Sequence, residues 1–173
     1  MPNYRRVFVE GGTYFFTVNL RDRRRGVLVD RIADMRAAWR ETAAAWPVET
    51  VAAVVLPDHL HFIWRLPEGD SDFSTRIRLI KAGFTRRLPA GEKSDGRKGE
   101  RGVFQSRFWE HLIRDESDFD RHVDYVHFNP VKHGYVTRPE DWPHSTFQQW
   151  RRETGRPITT PPEDWRPCHL GER

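Results

Sequence analysis

A chain of 173 residues, 37% of them apolar, is long enough for one domain with a full hydrophobic core. Its formal charge is +4 and its pI about 9.6. Only Lys81, Lys93, Lys98 and Lys132 among the 29 basic residues are lysines, and arginine's planar fork suits phosphate, although 25 acidic residues dilute the field. The single Cys168 excludes a disulfide framework or a multi-cysteine zinc site within one chain. No apolar run reaches membrane-spanning length and no signal-peptide core follows the N-terminus, so a cytoplasmic protein without a membrane partner is expected.

Taken in order, a basic lead-in at Arg5-Arg6 closes on Gly11-Gly12, and Thr13–Leu20 reads as a β-branched, aromatic first strand. Arg21, Arg23, Arg24 and Arg25 follow, either a solvated loop or phosphate contacts at a sheet end. From Asp30 to Trp46, apolar residues recur at Ile32, Met35, Ala38, Trp39, Ala43 and Trp46, the spacing of a first helix. Glu49–Leu56 is a second strand, broken by Pro57-Asp58 before a third that begins at His59, and the two should form a hairpin. Asp70 or Ser71 can cap a second helix that buries Phe73, Ile77, Ile80, Phe84 and Leu88. Off that face, Arg76, Arg78, Lys81, Arg86 and Arg87 are a solvated surface or a nucleic-acid track.

Pro89–Gly102 is a glycine-punctuated loop, Val103–Arg114 a fourth strand that includes Arg107, and Asp115–Asn129 a third helix. This order predicts an α+β fold, a ferredoxin-like split βαβ sheet with an added C-terminal helix. The expected domain spans residues 1–148. Residues 149–173 then form a proline- and tryptophan-containing tail, whose tryptophans either pack on the core or stack on unpaired bases.

Two groups of residues carry chemistry. His59 and His61 alternate with Leu60 and Phe62, so both imidazoles project from one face of a strand, where they hold a divalent metal or need buried hydrogen-bond partners. On the third helix, Tyr125 and Asn129 are four residues apart and share a face, with Pro130 expected to place Asn129 at a kink or helix end. A tyrosine of ordinary pKa, about 10, attacks phosphorus only beside a polarising metal or a base; as an alternative, Tyr125 is a core or rim residue.

Pro57-Asp58-His59-Leu60-His61 resembles the HUH motif, a hydrophobic residue between two histidines. Asp124-Tyr125-Val126-His127-Phe128-Asn129-Pro130-Val131-Lys132 resembles the tyrosine segment of REP-associated tyrosine transposases. The resemblance extends from residue 4 to residue 148, including Gly11–Thr17 and Arg107-Phe108-Trp109. It implies a ferredoxin-like single-strand DNA endonuclease, monomer or homodimer, acting on hairpins of repetitive extragenic palindromes with Mg²⁺ or Mn²⁺. Carried onto this sequence, it makes His59, His61 and Asn129 metal ligands and Tyr125 the nucleophile. Arg5, Arg6, Arg21, Arg23, Arg24 and Arg107 are the candidate DNA contacts. The competing readings are a hairpin-binding protein without catalysis and a zinc hydrolase, for which His111, His122 and His127 are candidates in principle.

Overall fold

The computed structural model describes residues 6–89 and 103–156. Strands β1 (Thr13–Asn19), β2 (Glu49–Val55), β3 (His59–Arg65) and β4 (Trp109–Leu112) form one antiparallel sheet in the order β2-β3-β1-β4. The helices are α1 (Val27–Asp30), α2 (Ile32–Ala45), α3 (Phe73–Arg87), α4 (Glu116–Lys132) and α5 (Phe147–Thr154). With α2 between β1 and β2 and α3 between β3 and β4, this is the expected split βαβ, ferredoxin-like arrangement, and α4 is the added helix that carries Tyr125.

Period-two alternation sorts the two central strands between two cores. Tyr14, Phe16 and Val18 of β1 and Leu60, Phe62 and Trp64 of β3 face α2 and α3, where they meet Met35, Ala38, Phe73, Ile77 and Phe84. Phe15 and Ile63 face the other way, onto Val123, Tyr125 and Val126 of α4 and Trp150 of α5. Each fully buried aromatic or aliphatic side chain contributes about 1.5–3 kcal/mol. Two-sided burial explains why β3 reads as a nearly continuous apolar run interrupted by two histidines.

Several boundaries differ from the sequence reading. The first helix is two, α1 and α2, joined at Arg31. The cap of α3 is Asp72, whose carboxylate accepts from Thr75 N–H at 2.9 Å. Asp70 is instead engaged by Arg76 at 2.6 Å. Arg76 itself is buried, also donating to the Trp46, Pro47 and Asp72 carbonyls, and is no surface cation. The fourth strand is broken: Phe104 bridges to Leu20, the chain leaves the sheet at Ser106–Phe108, and pairing resumes only in β4. The expected loop at 89–102 lies almost wholly outside the described residues.

Pro130 does not end α4, which runs on to Lys132. The helix closes with Gly134 N–H on the Val131 carbonyl and Tyr135 N–H on the Pro130 carbonyl, and Gly134 takes a φ of +72°. This is a Schellman cap, for which glycine is suited because it lacks a Cβ. Burial of Phe128, Asn129 and Pro130 under the sheet overrides the local preference of a pre-proline residue.

Beyond α4 the chain docks along the outer edge of β2. Val55 N–H donates to the His144 carbonyl (2.8 Å), Thr146 N–H to the Ala53 carbonyl (2.9 Å), and Trp142 Nε1–H to the Val55 carbonyl (3.0 Å). Trp150 is buried against His127. Helix α5 thus carries packed structure across residue 148, where the sequence reading drew a border, and residues 157–173, Trp165 included, lie outside the described part.

Candidate active site

The seam between β3 and α4 brings the two motif groups together. His59 and His61 are both buried on the α4 side, with ring centroids 4.8 Å apart. The ring of Tyr125 lies 5.2 Å from that of His61, and the ring of His133, four residues past Asn129, lies 5.2 Å from that of His59. Tyr125, Asn129 and His133 therefore form a row along one face of α4 opposite the histidine pair, with Asn129 in the middle and fully buried. Phe15 closes the floor, stacked 5.5 Å from His61 and edge-on to Tyr125 at 5.8 Å.

Each histidine is oriented through Nδ1. His59 Nδ1–H donates to Asp58 at 2.7 Å, and His61 Nδ1 is 2.9 Å from Thr17 Oγ1, on the paired strand β1. Arg23 Nε–H donates to the second oxygen of Asp58 at 2.6 Å. Burial of Asp58 opposes its ionisation, but the His59 hydrogen bond and charge, with those of Arg23, outweigh it and hold the carboxyl at about 2. With Nδ1 so engaged, Nε2 is the nitrogen through which each ring could ligate, and the His59 Nε2 is buried with no hydrogen bond among the described residues. Two imidazoles and an amide suit a divalent cation, so the residues present fit a metal.

The phenol is held as firmly. Tyr125 is 1% exposed, Lys132 Nζ–H donates to its hydroxyl at 3.2 Å, and the same ammonium lies 4.7 Å from the ring centre. Asp58, Thr17, Lys132 and His133 were not singled out from the sequence. Asp58 adjoins His59, and Lys132 and His133 follow Tyr125 by two helical turns, so helical and nearest-neighbour spacing held the signal for three of them. Thr17 enters only through strand register.

The candidate DNA contacts are scattered. Arg23 is committed to Asp58, while Arg24 is exposed and donates to Asp22. Arg6 pairs with Glu110 at 3.2 Å and covers the Phe108 ring at 4.2 Å. Arg21 and Arg107 are exposed, and Arg5 lies outside the described residues.

A second titratable group flanks Phe15 on the side away from His61. His111, Asp118 and His122 place ligand atoms within 4.8 Å of one another and could hold a cation. As found they bond to one another: His111 Nε2 is 2.8 Å from the Asp118 carboxylate, and His122 Nδ1–H donates to the Asp118 carbonyl at 2.7 Å. Burial pushes His122 below the ordinary histidine range. His127 stands apart, packed on Phe147 and Trp150 and pushed down by burial to about 3.

No protein-family model matches the chain. It is 46% identical over 165 residues to the REP-associated tyrosine transposase of Escherichia coli K12, covering 95% of this chain and 91% of the relative. It is 47% identical over 169 residues to a Haemophilus influenzae protein provisionally given the same name, covering 95% and 93%. A solved structure of a REP-associated tyrosine transposase bound to a REP hairpin matches at a TM-score of 0.85 and 45% identity, over 100% of this chain and 98% of that one. With this identity over nearly its full length, the chain belongs to the REP-associated tyrosine transposases.

Proposed function

We propose that this protein cleaves and rejoins single-strand or hairpin DNA of repetitive extragenic palindromes, with Tyr125 as nucleophile and His59, His61 and Asn129 as ligands of Mg²⁺ or Mn²⁺. The reading is carried by the row of Tyr125, Asn129 and His133 facing His59 and His61 across the β3–α4 seam. It is supported by the relatives' names and by the REP hairpin bound to the similar structure. A divalent cation held there would polarise the scissile phosphodiester and offset its developing charge.

The chain's own groups do the rest. Tyr125 Oη forms a bond to phosphorus while the bond to the 3′-oxygen breaks, giving a 5′-phosphotyrosine; the phenol proton passes to solvent and the leaving 3′-oxygen gains one. Attack by a 3′-OH on the phosphotyrosine rejoins the strand. Lys132 fixes the attacking oxygen and adds a positive charge beside it. Because Tyr125 is 1% exposed, the seam opens or the phenol swings out when DNA is engaged, and Tyr125 is more accessible in the bound form.

That burial also favours the second reading, a hairpin-binding protein without cleavage. Incubating a labelled REP-type hairpin with Mg²⁺, Mn²⁺ or EDTA separates the two. Metal-dependent cleavage that is lost in folded His59→Ala and His61→Ala variants supports catalysis. Tight binding with no cleavage in either metal supports the second reading, and unfolding of both variants assigns the histidines to the core.

A further inference from the structure

His111 pairs with Phe15 across the β1–β4 ladder, so its ring projects from the same face of the sheet, toward α4. There it meets the first turns of that helix. The Asp115 cap, accepting from Asp118 N–H at 2.8 Å, sets the turn that carries Asp118, and His122 follows four residues on along the same helix face. The His111 and His122 rings are 4.6 Å apart and share one carboxylate: His111 Nε2 is 2.8 Å from Asp118 Oδ2, and His122 Nδ1 is 3.1 Å from Oδ1. Phe15 separates this group from the first histidine pair, its ring lying 4.9 Å from that of His122 and 5.5 Å from that of His61.

Ligands about 2.1 Å from a tetrahedral Zn²⁺ lie roughly 3.4 Å from one another. The ligand atoms of these three residues, all within 4.8 Å, need only small side-chain adjustments to reach that spacing. His122 Nδ1–H donates to the Asp118 carbonyl, so Nε2 carries the free lone pair, and that atom is buried without a hydrogen bond among the described residues. Burial of Asp118 opposes its ionisation, but hydrogen bonds from His111 and the Arg114 N–H outweigh it and hold the carboxyl below its ordinary range, while burial holds His122 neutral. Carboxylate and neutral imidazole are the forms that bind a metal. Two imidazoles and one carboxylate favour Zn²⁺ over Mg²⁺, which prefers oxygen throughout.

We propose that His111, Asp118 and His122 form a structural Zn²⁺ site, distinct from the His59 and His61 pair, that staples the edge strand β4 to the start of α4. The cation takes the place of the proton that His111 shares with Asp118. Strand β4 has four residues and, among the described residues, pairs with β1 alone, so a link to the helix that carries Tyr125 adds a second anchor. The proposal is independent of DNA cleavage.

The test uses the full chain stripped of metal and then exposed to Zn²⁺ or Mg²⁺. Diethyl pyrocarbonate labelling, read by peptide mass spectrometry, follows each histidine without any substitution. His111, whose side chain is 22% exposed, should label in the stripped protein. Zn²⁺ should protect it about tenfold once the free ion exceeds its dissociation constant by that factor, Mg²⁺ should not, and amide exchange over residues 109–112 and 116–122 should slow with Zn²⁺. Native mass spectrometry counts the ions. The His59→Ala/His61→Ala protein should still hold one Zn²⁺, and adding His111→Gln should weaken that binding by about 100-fold or more, since losing a ligand costs at least as much as losing a partner that orients one. Glutamine keeps a donor toward Asp118, so the His111→Gln change should leave the fold intact.

Equal labelling of His111 with and without Zn²⁺ would overturn the proposal, even if the His59→Ala/His61→Ala protein failed to fold. Zinc retained at full affinity after His111→Gln would place it elsewhere. Protection by Mg²⁺ equal to that by Zn²⁺ would remove the preference for nitrogen ligands, and zinc that leaves amide exchange unchanged would remove the staple. Each of these outcomes also overturns it.

Discussion

Lys132 Nζ sits 3.2 Å from the hydroxyl of Tyr125, two helical turns earlier on the same face of α4. A fixed ammonium beside the attacking oxygen stabilises negative charge as it develops and orients the oxygen before attack. Lys132→Met is expected to lower the single-turnover cleavage rate by roughly 10–100-fold, about 1.4–2.7 kcal/mol, with hairpin affinity changed less than about threefold. Lys132→Arg should recover part of the rate. Equal losses of rate and affinity would instead make Lys132 a DNA-binding residue.

The Nδ1 contacts orient the two histidine rings. Asp58→Asn removes the charged acceptor of His59, and Thr17→Val removes the hydroxyl beside His61. Each should weaken Mn²⁺ binding by about 10–100-fold, the usual effect of losing a partner that orients a ligand. Calorimetric titration of Mn²⁺ into the folded variants measures it, and unchanged affinity would mean that these contacts do not prepare the ligands.

Lys81 gives a pH dependence whose sign is fixed. Burial, and then the nearby charge of Arg6, hold its folded-state value at about 8, below the ordinary 10.5. Between those values the unfolded chain binds the proton and the folded chain does not, so this residue's contribution to stability rises as pH rises through that window. Denaturant unfolding at pH about 7.5 and about 9.5 reads that contribution as a difference between the native protein and Lys81→Met. Stability that changes equally with pH in the two proteins would rule it out.

Helix α5 should behave as core. Trp150 is 9% exposed and packs against His127 and the α4 side of the sheet. Trp150→Ala is expected to destabilise by about 3–5 kcal/mol, and truncation after Phe147 to lower the melting temperature. A truncated protein with an unchanged melting temperature but weakened hairpin binding would restore the base-stacking role for this segment.

Regular alternation and helical spacing made the sheet, its hairpin and the core faces of α2 and α3 legible in the sequence. Local rules failed where tertiary contacts outvoted them. Pro130 was expected to put a kink or a helix end at Asn129, yet burial of Phe128 and Asn129 and the Gly134 cap carry the helix on to Lys132, which is why Lys132 and His133 line up with Tyr125. Arg76 looked like a surface cation because no sequence pattern shows the Trp46 and Pro47 carbonyls that enclose it. Thr17 and Asn19 face His61 and His59 through strand register, which pairs residues forty or more apart and cannot be read from either strand alone.

The central claim is that Tyr125 attacks DNA. The most direct measurement is mass spectrometry of the protein after incubation with a hairpin substrate and Mn²⁺, followed by proteolysis to locate any nucleotide adduct. A 5′-phosphate-linked nucleotide mapped to Tyr125, and absent from a Tyr125→Phe variant that still binds the hairpin, is the expected result. Cleavage by Tyr125→Phe at the native rate, or an adduct on another residue, would contradict it.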